Sequence, residues 1–138
     1  MRVVFDTNVI IDAVAAREPF NSAAEEILLM VAEEKIEGFL TANSVTDIFY
    51  VIRRSLSEDA TRAVIRSLLY SLDIIEVGDA DCREALDMQM ADYEDALLAT
   101  CALKIGADYI VSRDDAFLRA ASPVRVISPT DFLKQYGN

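Results

Sequence analysis

The chain has 138 residues, of which 53% are hydrophobic, so it is long enough to bury a core and too apolar to be disordered. Its 24 acidic and 13 basic residues give a formal net charge of −11, which excludes nucleic-acid binding through a broad basic surface. Histidine is absent and the two cysteines, Cys82 and Cys101, are far apart in sequence, which excludes ordinary zinc sites, Ser-His-Asp triads and Cys-His pairs. We expect both cysteines to be reduced residues of the core.

No internal repeat, low-complexity stretch or domain boundary interrupts the sequence, so we predict a single domain over residues 1–138. The sequence has no apolar stretch of about 18 residues and no signal-peptide layout after Met1. We therefore expect a cytoplasmic protein that does not associate with membranes.

The spacing of apolar residues predicts short strands that alternate with helices. In chain order, we predict a strand at 3–5 that leads into a helix, a helix at 21–35, a strand at 38–41, a helix from Ser44, a helix capped by Ser57, a strand at 74–77, helices at 79–90 and 93–105, a strand at 109–112, a short helix at 114–120, a strand at 124–127 and a closing helix from Pro129. Such alternation is typical of a parallel sheet covered on both faces. We therefore predict a three-layer α/β/α fold with a central parallel sheet of about five short strands.

Four aspartates are predicted to lie at one edge of this sheet. Asp6 follows the first strand directly and Asp114 follows the fourth, and open parallel sheets bind their ligands outside the carboxyl ends of the strands. Asp47 and Asp95 belong to the first turns of helices that we expect to point at the same edge. Their neighbours Glu94 and Asp115 are predicted to be solvated, with at most a supporting role.

Each of these aspartates also has a purely structural interpretation. Asp6 and Asp114 could cap the helices that follow them. Asp47 lies three residues after Ser44, and Asp95 lies three residues after Asp92, which is the spacing of a capping box.

Four aspartates close together would repel one another, and divalent cations would neutralise this repulsion. Two carboxylates about 4 Å apart repel each other by about 4 kcal/mol at an effective dielectric constant of about 20. Without histidine and with few lysines, four such groups require divalent cations, and the hard ions Mg²⁺ and Mn²⁺ prefer oxygen ligands. Such ions activate water and stabilise charge on a phosphodiester, so these residues predict metal-assisted hydrolysis of a phosphate ester.

Four segments of the chain resemble the PIN-domain family in their order and spacing. They comprise residues 5–9 with Asp6-Thr7-Asn8, residues 44–47, residues 94–102 and residues 110–114. The resemblance extends over essentially the whole chain, and it is strongest to the small ribonuclease toxins of VapBC toxin–antitoxin pairs. It implies a parallel sheet between helices, Mg²⁺- or Mn²⁺-dependent endonucleolytic cleavage of RNA, and an antitoxin partner.

The resemblance also implies a role for individual residues. The metal-binding and catalytic acids would be Asp6, Asp47, Asp95 and Asp114. Thr7 or Asn8 would steady the first acid or contact metal-bound water, and Ser112 would form a hydrogen bond within the site. Many toxins of this branch carry Glu where this chain has Asp47, and the shorter side chain would shift the ion or require a bridging water.

An acidic ribonuclease also needs local positive charge to approach RNA. A basic margin near the cleft is predicted to comprise Arg17, Arg53, Arg54, Lys104 and Arg113. Arg53 and Arg54 also suit a solvated helix end. We expect a homodimer, and an antitoxin helix could occupy an apolar groove on the same protein.

Two other functions remain open from the sequence. The first is a non-catalytic PIN-like or receiver-like binding module. The second is a haloacid-dehalogenase-like phosphohydrolase with Asp6 as nucleophile, which would require a second aspartate where this chain has Asn8 and a lysine that Lys104 supplies only loosely.

Overall fold

The computed structural model describes residues 1–138 as five strands and eight helices. The strands are β1 (Arg2–Phe5), β2 (Glu37–Thr41), β3 (Asp73–Ile75), β4 (Tyr109–Val111) and β5 (Val126–Ile127). The helices are α1 (Thr7–Val14), α2 (Asn21–Ala32), α3 (Ala42–Ile52), α4 (Glu58–Ser71), α5 (Asp79–Asp87), α6 (Tyr93–Lys104), α7 (Asp115–Arg119) and α8 (Pro129–Tyr136). None of the helices has both the length and the apolar character that crossing a membrane requires.

The five strands form one parallel sheet in the order β3-β2-β1-β4-β5. From β1, the chain first builds the sheet outward through β2 and β3 and later adds β4 and β5 on the other side of β1. The carboxyl ends of β1 and β4 therefore border the point where the direction of sheet growth reverses, which is where open parallel sheets form a crevice.

The two faces of the sheet carry separate hydrophobic cores, because side chains alternate along each strand. Val3 and Phe5 of β1 face a core completed by α1, α2, α3, α4 and α8. Val4, between them, faces a second core formed with α5, α6 and α7. The predicted three-layer α/β/α fold is thus confirmed.

Several predicted boundaries differ from the observed ones for identifiable reasons. The helix at 21–35 ends at Ala32, because the chain turns through Glu34, whose φ is +59°, before β2 begins. The helix predicted from Ser44 begins at Ala42, directly after β2 ends. Ser57 caps α4 as predicted, and Gly106 follows α6 with a φ of +66°, a conformation that glycine adopts without strain.

The prediction for the cysteines is half right. Cys101 is fully buried in α6, whereas Cys82 is exposed. Cys82 lies on the outer side of α5, a helix in which only Asp81 and Ala85 are buried. The residues next to Cys82 in the sequence did not indicate which side of the helix it would occupy. Neither cysteine forms a disulfide.

Candidate functional site

Asp6 lies at the carboxyl end of β1, directly beside β4. It precedes α1, but its side chain makes no capping hydrogen bond, so the capping interpretation of this residue is wrong. Instead its Oδ2 accepts hydrogen bonds from Ser112 Oγ (2.7 Å) and Asn8 Nδ2 (3.2 Å). Ser112 follows β4, so the first acid is held across the crevice between the two strands.

The surroundings of Asp6 make its charge costly. Burial raises the pKa of Asp6 above its ordinary value, and the nearby carboxylates of Asp114 and Asp92 raise it further. The hydrogen bonds from Ser112 and from the backbone N–H of Thr7 act in the opposite direction but do not outweigh burial. Asp6 therefore lies among other acids, next to the crevice expected at the carboxyl ends of β1 and β4.

Asp95 is the most strongly affected acid of the cleft. Asp92 caps α6 by accepting the backbone N–H of Asp95 (3.0 Å), but the reciprocal bond of a capping box is not formed, which leaves the Asp95 carboxylate uncapped. Burial, followed by the charges of Asp92, Asp6, Asp114 and Glu94, raises the pKa of Asp95 to about 7. This aspartate is part of one electrostatic cluster rather than part of its own helix cap.

Glu94 connects Asp47 to this cluster. The pKa of Glu94 is raised first by burial and then by the charges of Asp47, Asp6 and Asp92. Asp47 itself is exposed in α3. Its capping-box interpretation is wrong, because α3 is preceded by Thr41 as N-cap and Ser44 lies inside the helix.

Asp114 combines a structural contact with a place in the cluster. Its Oδ1 accepts the backbone N–H of Ala116 (3.0 Å) and so caps the short helix α7, as one interpretation of the sequence predicted. Its charge nevertheless raises the pKa of both Asp6 and Asp95. The structure thus brings Asp6, Asp95 and Asp114 into one region, and Asp47 is linked to them only through Glu94. Two further carboxylates act on this region: Asp92, which also caps α6, and Glu94, which is exposed as predicted.

Thr7 and Asn8, either of which was predicted to steady Asp6, make different contacts. Asn8 contacts Asp6 through its side chain, whereas Thr7 Oγ1 donates to Ser44 Oγ (3.0 Å). Ser44 Oγ lies 2.9 Å from Thr41 Oγ1 and so ties the first turn of α3 to the end of β2. Of the two residues predicted to steady the first acid, only Asn8 does so with its side chain.

The predicted basic residues lie in three different environments. Arg113 forms an ion pair with Asp12, a buried acid of α1 that the sequence analysis did not single out. Arg53 and Arg54 are exposed where α3 ends, and at 1.5 Å per residue Arg53 lies about 9 Å along the helix from Asp47. Lys104 lies at the far end of α6 from Asp95 and cannot serve the cleft.

The acidic residues fit a hard divalent cation in donor chemistry and in charge. All are oxygen donors, and none of Asp6, Asp47, Asp95 and Asp114 is neutralised by an ion pair with lysine or arginine. Asn43, in the first turn of α3, also has a buried Oδ1 without a hydrogen-bond partner. In this arrangement no three of the side chains surround a single ion-sized position, so they form a cluster rather than a closed coordination shell.

Comparison with known proteins identifies relatives along most of the chain. A family model described as PIN domain matches residues 2–116. The chain is 23% identical over 140 residues to Ribonuclease VapC1 of Aquifex aeolicus (strain VF5), covering 98% of this chain and 95% of that protein. It is 27% identical over 131 residues to Ribonuclease VapC7 of Mycobacterium tuberculosis, covering 91% of this chain and 90% of that protein.

Solved structures share the fold at lower sequence identity. VapBC2 from Rickettsia felis, bound to a promoter DNA fragment, matches with a TM-score of 0.69 and 14% identity over 93% of this chain and 98% of that one. VapC20 of Mycobacterium tuberculosis, a toxin that cleaves the sarcin–ricin loop, matches with a TM-score of 0.65 and 14% identity over 83% of this chain and 92% of that one. Because the family model extends from β1 to α7, and so includes all four predicted acids, the chain belongs to the PIN domain family.

Proposed function

We propose that this chain is a metal-dependent endoribonuclease of the VapC type and the toxin of a toxin–antitoxin pair. The observation that carries the proposal is the cluster around Asp6, in which carboxylates with raised pKa values share one cleft without a cationic partner. Its relatives in sequence are named ribonucleases, and VapBC toxin–antitoxin complexes share its fold. The same comparisons support a single PIN-like domain over residues 1–138.

The proposed site residues are the four aspartates of the sequence analysis. Nucleases of this family generally use divalent metal ions, and here Asp6, Asp47, Asp95 and Asp114 would hold Mg²⁺ or Mn²⁺. When bound, such an ion activates a water molecule and stabilises charge on the phosphodiester.

Other residues of the chain would orient the carboxylates that hold this ion and would contact the RNA. Ser112 and Asn8 fix the orientation of the Asp6 carboxylate through its Oδ2. The pKa of Asp95, raised to about 7, means that this carboxyl group holds its proton more tightly than an ordinary aspartate, and a bound cation would favour its ionised form. Arg53 and Arg54 would contact RNA at a distance from the acids, where they do not compete for them.

An antitoxin would need a surface of its own. A groove of about 440 Å³ between α1, α2 and α4 is lined mainly by Val14, Leu28, Val64, Leu68 and Leu72. Its apolar lining suits the apolar face of a partner helix, and we propose it as the antitoxin contact. The homodimer stays a prediction.

The experiment offers purified protein three substrates, namely structured RNA, single-stranded DNA and a phosphate monoester, with Mg²⁺ or Mn²⁺. We expect internal cleavage of RNA that EDTA abolishes and that Asp6→Asn reduces by at least about 100-fold. The matched control is Asp59→Asn, an exposed aspartate of α4, which should cleave as the wild type does.

The other outcomes separate the alternative functions. Turnover of the monoester without strand cleavage would support a haloacid-dehalogenase-like phosphohydrolase. Stabilisation of the fold by metal with no turnover of any substrate would support a non-catalytic binding module.

A further inference from the structure

Asp12 of α1 is a charged residue inside the hydrophobic core. Its side chain is only 1% exposed, and it follows the apolar run Val9-Ile10-Ile11. Both carboxylate oxygens are engaged by Arg113, with Nε donating to Oδ2 and Nη2 donating to Oδ1 (3.1 Å). Arg17 Nη1 lies 4.0 Å from Oδ1 as a weaker second cation. A buried carboxylate of this kind requires its partner, because removing one member of a buried pair leaves an uncompensated charge.

The guanidinium of Arg113 is held on a second side by an aromatic ring. Its central carbon lies 4.2 Å from the centroid of the Phe20 ring, in the segment between α1 and α2. The planar guanidinium is thus fixed by a two-pronged contact with Asp12 and by stacking on Phe20. These contacts fix the guanidinium and so restrict where the Arg113 backbone can lie.

Arg113 is the middle residue of the turn 112–114, which connects β4 to α7 and contributes Ser112 and Asp114 to the site. Before it, Ser112 donates to Asp6, and after it, the backbone N–H of Asp114 donates to Ser112 Oγ (3.1 Å). The backbone N–H of Arg113 lies 3.5 Å from Asn8 Oδ1. Residues 112–114 are therefore attached to β1 and α1 at several points, of which the Asp12 pair is the only ionic one.

We propose that Asp12 is a positioning residue, which acts through Arg113 to fix the turn that presents Ser112 and Asp114 to Asp6. A buried ion pair contributes little net stability compared with an apolar pair of the same volume, so the effect we assign to it is on geometry. The proposal rests on the proposed function for its metal and RNA measurements, but its amide-exchange measurement is independent of that function. It also gives Arg113 a different task from the RNA contact predicted from the sequence.

The first experiment compares Asp12→Asn with Asp81→Asn. Asp81 is the matched control, because it is also a buried aspartate paired with a cation, but its partner Lys104 lies away from the cleft. For Asp12→Asn we expect Mn²⁺ affinity and kcat for RNA cleavage to fall by about 10- to 100-fold, as for other residues that orient metal ligands, while KM stays within about twofold. Asp81→Asn should leave all three near wild-type values.

A double-mutant cycle tests whether the effect passes through Arg113. The effect of Asp12→Asn on Mn²⁺ affinity should largely disappear in an Arg113→Gln background, because the residue through which it acts is already gone. If Asp12→Asn fails to fold, Arg113→Lys replaces it, since lysine keeps the counter-charge for Asp12 but lacks the fork that fixes the turn.

A third measurement needs neither metal nor RNA. In Asp12→Asn, the backbone amide of Asp114 should exchange with solvent at least about tenfold faster than in the wild type, and in Asp81→Asn at the wild-type rate. Unchanged exchange, or equal losses of Mn²⁺ affinity in the two variants, would overturn the proposal. So would an Arg113→Gln variant that raises only KM, because Arg113 would then contact RNA directly. A wild-type protein that neither binds Mn²⁺ nor cleaves RNA would refute the proposed function and leave the amide-exchange result to decide this one.

Discussion

Asp81 and Asp95 occupy the same position, the third residue, of the neighbouring helices α5 and α6, yet their pKa values move in opposite directions. Asp81 Oδ2 accepts the backbone N–H of Gly78 (2.8 Å) and an Nζ–H of Lys104 (2.8 Å), and these contacts lower its pKa. Asp95 has neither contact, and burial together with surrounding carboxylates raises its pKa to about 7.

The difference shows that a place in the first turn of a helix does not determine the state of a carboxylate. The helix dipole favours a negative charge at both positions. The tertiary partners determine whether the pKa falls or rises. The last residue of α6, Lys104, forms an ion pair with Asp81, whereas the N-cap of α6, Asp92, places a like charge beside Asp95. The uncompensated acid belongs to the candidate site and the compensated one to the framework.

The largest expected effect separates the two aspartates by activity. Asp95→Asn should reduce RNA cleavage by at least about 100-fold, because it removes a charged ligand of the proposed ion. Asp81→Asn should keep cleavage within about threefold of the wild type while lowering the free energy of unfolding by about 1–2 kcal/mol, since the N–H of Gly78 and Lys104 lose a charged acceptor. Cleavage rates under saturating Mn²⁺ and urea titrations measure both. Equal losses of activity in the two variants would contradict the distinction.

The next effect is the opposite pH dependence of stability without metal. The folded-state pKa of Asp95 lies above its unfolded value, so between about pH 4 and pH 7 the folded state holds the proton more tightly and loses stability as pH rises. Asp95→Asn removes this loss and should unfold at higher urea concentration than the wild type at pH 8, but not at pH 4.

Asp81 should show the reverse, because its folded-state pKa lies below 3.8. Its contribution is present above that pH and disappears as pH falls through the folded-state pKa. Asp81→Asn should therefore be less stable than the wild type at pH 7, with a difference that shrinks below pH 4. Parallel pH profiles for the two variants would show that the contrast in pKa is wrong.

The smallest effect concerns the cap of α6. Asp92→Asn keeps a side-chain oxygen to accept the N–H of Asp95 but removes the adjacent charge, so the pKa of Asp95 should fall towards its ordinary value. NMR titration of the Asp95 carboxyl carbon measures this shift, and stability should change by less than about 1 kcal/mol. An unchanged pKa would show that the charge of Asp92 does not contribute to it, and would leave burial and the other carboxylates as its causes.

Much of the fold follows from local patterns in the sequence. Short apolar runs separated by helical spacing predicted the five parallel strands, and Ser57, Gly106 and Pro129 marked helix ends through their own backbone and side-chain chemistry. The boundaries of α2 and α3 were less predictable. They depend on a left-handed residue at Glu34 and on how closely α3 follows β2.

For the candidate site, the position of Asp6 and Asp114 after two strands was sufficient to predict that they share one edge of the sheet. The partners of Asp12 and Asp81 were not predictable, because Arg113 and Lys104 lie 101 and 23 residues away in sequence. An acid inside the apolar run of α1 was the one available signal for Asp12, and it indicates a buried pair without identifying the partner.

The contact between Asp6 and Ser112 joins positions separated by 106 residues. During synthesis, therefore, a ribosome has made three of the four acids before β4 exists to complete the crevice beside them. A partly made chain lacks the contact from Ser112 and the fourth acid, Asp114, so the proposed nuclease would stay inactive until nearly all of it has emerged. For a nuclease of the proposed kind, this order of assembly would postpone activity to the last stage of translation.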